Sequence, residues 1–358
     1  TMRVRAPKSV SVSAAMRASS LGGSDSTAPH YDTSAKRSAS QNVMLRVRVY
    51  DNGRLLDGDE ALLATPGPKW VDVLQPDEGV LNKLGERFGL HKLAIEDCLH
   101  LDQRPKLEEY GNHQFLVLQG FSTPTDKWSD LEMHELHFFI GADWIITVHD
   151  KSHQAIEQTH KRLEADPANT LGRGVDFEMY LLADALVDRN FPLLDCFNDA
   201  LEDLEERIFA DYPSRDMLQE TFQLKRALVL VRRVLSPQRD VVGLLARRGV
   251  PQVQERTTIY FRDVFDHLVR IYEQIEAARD LVGSVVEAYL SQVANRTNEV
   301  TKQLTIFASI FMPLSFMVGF FGQNFDILGG PVFFVIMLMA TVAVPVTMFF
   351  WFRHKEWV

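Results

Sequence analysis

Between Asn298 and Asn324 the chain sets small and oxygen-bearing side chains at alternating steps of three and four. Asn298, Thr301, Thr305, Ala308, Met312, Ser315 and Gly319 fall on one helix face, while Ile306, Phe307, Ile310, Phe311, Phe316 and Phe320 lie largely off it. Small residues of this kind also let membrane helices pack closely, so the stripe by itself has two meanings. Its chemistry is that of neutral hydroxyl and amide oxygens in series with an apolar Met312, which can block hydrated ions by dewetting. Gly322-Gln323-Asn324 then places amide and backbone oxygens where the helix unwinds. Such oxygens suit a small divalent ion: Mg²⁺ gives up its octahedral water reluctantly, and a ring of Asn324 carbonyls hydrogen-bonds to that water without stripping it. A Gly-Asn pair is also a common turn, chosen because it tolerates positive φ.

The elements that must position these residues are two uncharged apolar runs, Leu304–Phe321 and Pro331–Phe352. At about 1.5 Å of rise per residue the second spans roughly 33 Å, enough to cross a hydrocarbon core of about 30 Å. Lys302 precedes the pair and Arg353, His354 and Lys355 follow it, whereas the connecting loop carries only Asp326. Both termini are therefore expected on the cytoplasmic side of a plasma or inner membrane. Two spans per chain cannot enclose a water path, but a closed ring of identical chains with the stripe facing its axis can.

Upstream, residues 1–42 are rich in Ser and Ala and read as a disordered tail. Short β-type runs follow at Leu45–Tyr50, Trp70–Leu74, His113–Phe121, Leu136–Ile140 and Trp144–His149, with helices at Pro76–Phe88 and His91–Leu101. They define a mixed domain over 43–165. Helices over Phe177–Phe209, Ser214–Arg248 and from about Thr257 onward make a stalk over 166–300. The first span is placed at 301–322, the outer loop at 323–330, the second span at 331–352 and a basic tail at 353–358. In the last soluble helix Val264, Leu268, Ile271, Ile275, Ala278, Val282, Val285 and Tyr289 repeat at steps of four and three, a coiled-coil-like seam. A helix from Thr257 to Phe321 is on the order of 100 Å long and needs neighbours.

The net charge of −10 argues against nucleic acid as a partner. Cys98 and Cys196 have neither metal-ligand nor redox spacing. No P-loop, G-x-S-x-G or H-E-x-x-H supports an enzyme. A membrane-anchored coiled-coil scaffold is the remaining rival, and it has no use for polar residues along one membrane face.

The chain resembles the CorA family of divalent-cation transporters in Thr297-Asn298-Glu299-Val300, Leu304-Thr305-Ile306, Ile310-Phe311-Met312-Pro313-Leu314 and Gly322-Gln323-Asn324-Phe325. Further likeness lies in Leu93-Ala94-Ile95-Glu96-Asp97, Gln103-Arg104-Pro105-Lys106, Ala185-Leu186-Val187-Asp188 and Tyr260-Phe261-Arg262-Asp263-Val264. The resemblance implies an α+β cytosolic domain, long stalk helices and a two-helix transmembrane hairpin, assembled as a homopentameric funnel in the bilayer. It implies that Gly322, Gln323 and Asn324 form the ion entrance and that Asn298, Thr301, Leu304, Met312, Ser315 and Gly319 line the path. It also implies regulatory cytosolic metal at Asp97 and Asp263, which otherwise read as helix-surface charges. Bridging of such carboxylates by Mg²⁺ would favour a closed ring, so that internal metal inhibits its own uptake. The family's magnesium branch has Met where Gln323 stands, and its zinc branch varies that position. Phe325 and the pore-helix match favour Mg²⁺, with Co²⁺ or Ni²⁺ as surrogates. Zn²⁺, with or without proton coupling, is the alternative. His134 and His137 stand three apart on a β-type segment and so on opposite faces, where they read as exposed histidines rather than a zinc site.

Overall fold

Val, Ile, Leu and aromatic runs between Met44 and His149 build a seven-stranded sheet from β1 (Met44–Asp51), β2 (Arg54–Gly58), β3 (Lys69–Leu74), β4 (Lys106–Glu109), β5 (Gln114–Ser122), β6 (Glu132–Ile140) and β7 (Trp144–His149). The computed structural model describes residues 43–100, 103–125, 127–210, 214–322, 330–355 and 357. The tail expected over 1–42 lies outside them. Strand order is β2-β1-β3-β7-β6-β5-β4, antiparallel except for the parallel pair β3–β7.

Both faces of the sheet are covered, which is why β5 reads Phe115-Leu116-Val117-Leu118 rather than alternating with polar residues. Phe115 and Val117 join Val71, Val73 and Ile146 under α1 (Glu78–Phe88) and α2 (Lys92–Leu99). Leu116 and Leu118 join Trp70, Phe138 and Ile145 on the other face, against α3 (Gln154–Ala165) and α4 (Val175–Asp188). The two strands absent from the sequence reading are the sheet edges β2 and β4, where charged residues replace apolar ones. The β1–β2 hairpin turns on Asn52-Gly53, both at positive φ, a two-residue turn that matches the twist of the strands.

The sheet face toward α3 and α4 carries a buried polar layer. The Asp72 carboxylate accepts from His149 Nε2 at 3.0 Å, His160 Nε2 at 3.2 Å and Thr147 Oγ1 at 2.5 Å. His149 Nδ1 lies 2.7 Å from the Lys151 carbonyl, so both ring nitrogens face acceptors, and against the effect of burial the bonds to Asp72 and Lys151 raise the imidazole above its ordinary pKa. Burial opposes the charge on Asp72, but these hydrogen bonds hold its carboxyl well below the usual range. Arg48, fully buried, donates to the His160 carbonyl at 2.9 Å and pairs with Glu164 and Asp57.

Beyond the sheet the chain is helical: α5 (Asn190–Ala210), α6 (Arg215–Leu245), α7 (Glu255–Phe321) and α8 (Pro331–His354). The continuous helix expected over Phe177–Phe209 is broken at Arg189. Pro192 lacks the N–H that would bond the Asp188 carbonyl, and α5 starts afresh there. All eight seam residues from Val264 to Tyr289 are buried. Their partners are α4, α5 and α6 of the same chain, so the soluble half of the long helix finds its neighbours without a second subunit. The need for neighbours begins after Tyr289, beyond which no described residue of α7 is buried.

Glu178 stands inside this core with no exposed surface and no hydrogen-bond partner for either carboxylate oxygen. Burial pushes its pKa up to about 8, against the weaker pull of Arg48 and Arg162. A folded pKa above the ordinary 4.5 means that stability is lost as pH rises from about 4.5 toward 8. The slope in that window is about 1.4 kcal/mol per pH unit. Glu178→Gln should therefore be more stable than the parent at pH 8, with the advantage shrinking toward pH 5. Thermal unfolding of the two proteins across that range checks it, and a pH-independent difference would show that burial does not hold the carboxyl neutral.

Candidate cation path and cation site

α7 runs for 67 residues, roughly 100 Å, from the stalk through the first apolar run without a break. Within that run α8 packs against it, and Ile306, Ser309, Ile310, Pro313, Leu314, Met317 and Phe321 are half-buried. Asn298, Thr301, Leu304, Thr305, Ala308, Met312, Ser315 and Gly319 all stay exposed along the remaining surface, with Leu304 at 68% and Met312 at 73%. Apart from Phe352 at the end of the second, neither apolar stretch has a buried described residue, and both helices are long and apolar enough to cross a membrane.

The stripe's hydroxyls are held by the helix itself. Thr301 Oγ1 donates to the Thr297 carbonyl at 2.7 Å and Thr305 Oγ1 to the Thr301 carbonyl at 2.8 Å, leaving lone pairs directed outward. Thr341 and Thr347 on α8 do the same, so this bonding satisfies a hydroxyl in any apolar setting. Gly322 closes α7, its N–H bonding the Val318 carbonyl at 2.9 Å. Gln323 and Asn324 lie outside the described residues.

A second set of oxygens is charged and lies on the soluble part. Asp184 and Asp188, one turn apart on α4, meet His267 of α7, with one ligand atom from each within 4.8 Å of the others. His267 Nδ1 is 3.0 Å from Asp188 Oδ1. Asp263 stands one turn before His267 and adds its charge to the group. Burial first, then the charges of Asp188 and Asp263, push Asp184 up to about 6 despite His267. Three carboxylates with one imidazole form a centre short of positive charge, which a divalent cation would supply. The sequence reading named Asp263 but not Asp184 or His267. The signal was present as two acid-containing i, i+4 pairs, Asp184/Asp188 and Asp263/His267, on helices that pack together.

Asp97 does not join this group within one chain. Its carboxylate takes Lys106 Nζ at 2.6 Å, and Lys106 also reaches Glu108 at 3.2 Å. The histidines of β6 divide: His134 is half-buried and bonds Ser122 Oγ at 2.7 Å, while His137 is 2% exposed and bonds Glu135 at 3.2 Å. The expectation of two exposed histidines fails because α2 and the sheet close over the inward one. Part of the acidic face of α5 is neutralised too, since Arg207 bridges Asp203 at 2.9 Å and Glu220 at 3.0 Å.

Residues 66–354 match the family model of the CorA-like Mg²⁺ transporter protein. The chain belongs to the CorA family of divalent-cation transporters. It is 36% identical over 299 residues to a cobalt/magnesium transport protein of Thermotoga maritima, covering 81% of this chain and 84% of that one. A putative metal ion transporter of Bacillus subtilis is 34% identical, covering 80% of this chain and 89% of its own. A zinc transport protein of Yersinia pseudotuberculosis is 22% identical over 71% of this chain and 77% of its own. Among solved structures, the CorA magnesium transporter of Methanocaldococcus jannaschii superposes with a TM-score of 0.78 at 21% identity, over 89% of this chain and all of that one. The fold of sheet domain, long helix and C-terminal helix is thus that of CorA.

The crowded carboxylates give a test with opposite signs. Asp184→Asn removes one like charge, so the metal-free protein should gain thermal stability while the added stability from Mg²⁺ or Co²⁺ shrinks. A tenfold weaker affinity lowers the ligand-dependent part by about 1.4 kcal/mol at saturating cation. Thermal midpoints with and without the ion decide it; an undiminished ion-induced shift would remove Asp184 from the site.

Proposed function

We propose that the chain forms a homopentameric pore through which divalent cations, Mg²⁺ first among them, enter the cytoplasm. The observation that carries this reading is the stripe on α7. Along the apolar run, the surface that α8 leaves bare divides in two: Thr301, Thr305, Ala308, Ser315 and Gly319 form a small or oxygen-bearing strip with Met312, beside exposed Phe307, Phe311, Phe316 and Phe320, which suit lipid or a neighbouring helix. Five such faces around an axis make a conduit of hydroxyls and amides with Met312 as its apolar constriction. Gly322, Gln323 and Asn324 take the outer mouth, and Asn324 holds the hydrated ion through its carbonyl.

Neutral oxygens favour an ion that keeps its water, which supports Mg²⁺, with Co²⁺ as surrogate. The Thermotoga relative's name points the same way. Zn²⁺ is the second reading, and the observation behind it is Gln323 in the centre of the outer tripeptide. The driving force is the inside-negative potential, worth about 4.6 kcal/mol for a divalent ion crossing 100 mV. Basic residues Arg353 and His354 in the last turn of α8 support cytoplasmic termini. No catalytic step is assigned.

Closure falls to the carboxylates outside the membrane. Cations held by Asp184, Asp188, His267 and Asp263, and by Asp97 of a neighbouring subunit once Lys106 yields it, draw the ring together. Their loss lets like charges push it apart.

Uptake into proteoliposomes under an imposed negative potential, with Mg²⁺, Co²⁺ and Zn²⁺ compared, tests the function. Mg²⁺ and Co²⁺ should enter, and Asn324→Leu should abolish uptake while the oligomer survives. Zn²⁺ uptake alone would move the protein to the second reading, and unchanged flux in the variant would remove Asn324 from the mouth. Asp97→Asn with Asp263→Asn should raise, by about tenfold or more, the internal Mg²⁺ needed for half-inhibition, the shift expected when charged ligands are lost. An unaltered inhibition curve would take both residues out of the closure mechanism.

A further inference from the structure

Asp188 belongs to the carboxylate group, but the next residue, Arg189, faces a different cavity. This cavity, of about 420 Å³, lies where the end of β5 and the start of β6 meet the first turn of α3 and the start of α5. Its walls include Ser122, His134, Lys151, His153, Gln154 and Arg189.

Donors there exceed acceptors. His153 is 5% exposed, and its Nδ1 accepts from the Ala155 N–H at 3.1 Å. The neutral ring therefore carries its proton on Nε2, a buried atom with no acceptor. Burial first, then the charges of His134 and Arg189, push His153 down to about 3, so the ring is neutral at working pH. Arg189 is half-buried, its Nε has no acceptor, and no carboxylate pairs with it among the described residues. His134 Nδ1 is likewise buried without a partner. Among the described residues, Glu132 is the one carboxylate in the wall, and it is taken by Lys151 at 3.1 Å. The 12-residue α3 adds the positive end of its dipole.

The two histidine rings, 5.3 Å apart, invite comparison with a metal site. Charge decides against it: Arg189 and Lys151 face the cavity with Glu132 pairing only the lysine, and among the described residues the wall offers no free carboxylate or thiolate as a third ligand. An oxyanion reverses each of these objections, because it accepts from the guanidinium, the ammonium and the imidazole N–H together. Donors arriving from β6, α3 and the α4–α5 break converge from several sides, which suits a tetrahedral group better than a planar carboxylate. The cavity is also larger than a bare phosphate. We propose that this cavity binds the phosphate group of a small phosphorylated molecule, held by Arg189, Lys151 and His153.

Calorimetric titration of the full-length protein in detergent, at constant ionic strength and with chelator present so that phosphate cannot arrive bound to a divalent ion, tests the site. Inorganic phosphate and glycerol phosphate are the probes. Both should bind saturably, glycerol phosphate the tighter, and Arg189→Gln or Lys151→Gln should weaken each by about tenfold or more with an unchanged thermal midpoint. His153→Asn, which keeps an oxygen to cap α3 but loses the Nε2 donor, should weaken binding as well. Absence of saturable binding to the parent protein, or binding that survives both cation-removing variants, would overturn the proposal.

Discussion

One helix must serve two solvents. α7 buries a continuous apolar seam as far as Tyr289 against α4, α5 and α6, and from there to Phe321 it buries nothing. Its first half is paid for by contacts inside the chain, and its second by lipid, α8 and other subunits. Because the helix does not break between these regimes, a displacement at His267 reaches Asn298 through 31 residues of hydrogen-bonded backbone, roughly 47 Å. Every other feature of function is arranged along this rod.

The two sets of oxygens follow from dielectric. A carboxylate fixed in the apolar region would cost several kcal/mol to desolvate and would hold a divalent ion too tightly to release it. The stripe accordingly uses hydroxyl and amide groups; the hydroxyl protons of Thr301 and Thr305 are satisfied by i−4 carbonyls, which leaves their lone pairs for water. In the proposed mechanism the cation-binding carboxylates lie on the soluble part, where tight and reversible binding is an asset. There burial, then the charges of Asp188 and Asp263, push Asp184 up to about 6, a state that a bound cation would relieve.

Much of this was legible in the sequence because it is periodic. The seam, the stripe and the two apolar runs repeat at helical steps, and β5 and β7 are dense in β-branched and aromatic residues. What escaped was set by tertiary contact. Edge strands β2 and β4 carry no apolar pattern, although Asn52-Gly53 announced the first of them. The break at Arg189 needed Pro192 to be read as a helix start rather than a tolerated residue. Asp184 and His267 are unremarkable on their own helices and become a site only when α4 lies against α7. The pairing of Asp97 with Lys106 joins α2 to an edge strand that had not been recognised.

The packing of α4 against α7 explains why the carboxylate group sits where it does. At their N-terminal ends the two helices are clamped: buried Asp176 accepts from the Gln254 N–H at 3.0 Å, and the Arg173 guanidinium lies 3.7 Å from the Phe177 ring centroid while donating to Tyr260 Oη at 3.1 Å. α4 is also fixed from beneath, where its Met179 and Leu182 share an apolar core with Trp70, Phe138 and Ile145 of the sheet. Asp184, Asp188 and His267 lie further along the same interface, past the clamp. In the proposed closure, repulsion among the carboxylates would act on helices pinned together at one end. A change at these carboxylates would then be carried toward the membrane by α7, which runs on without a break to Phe321.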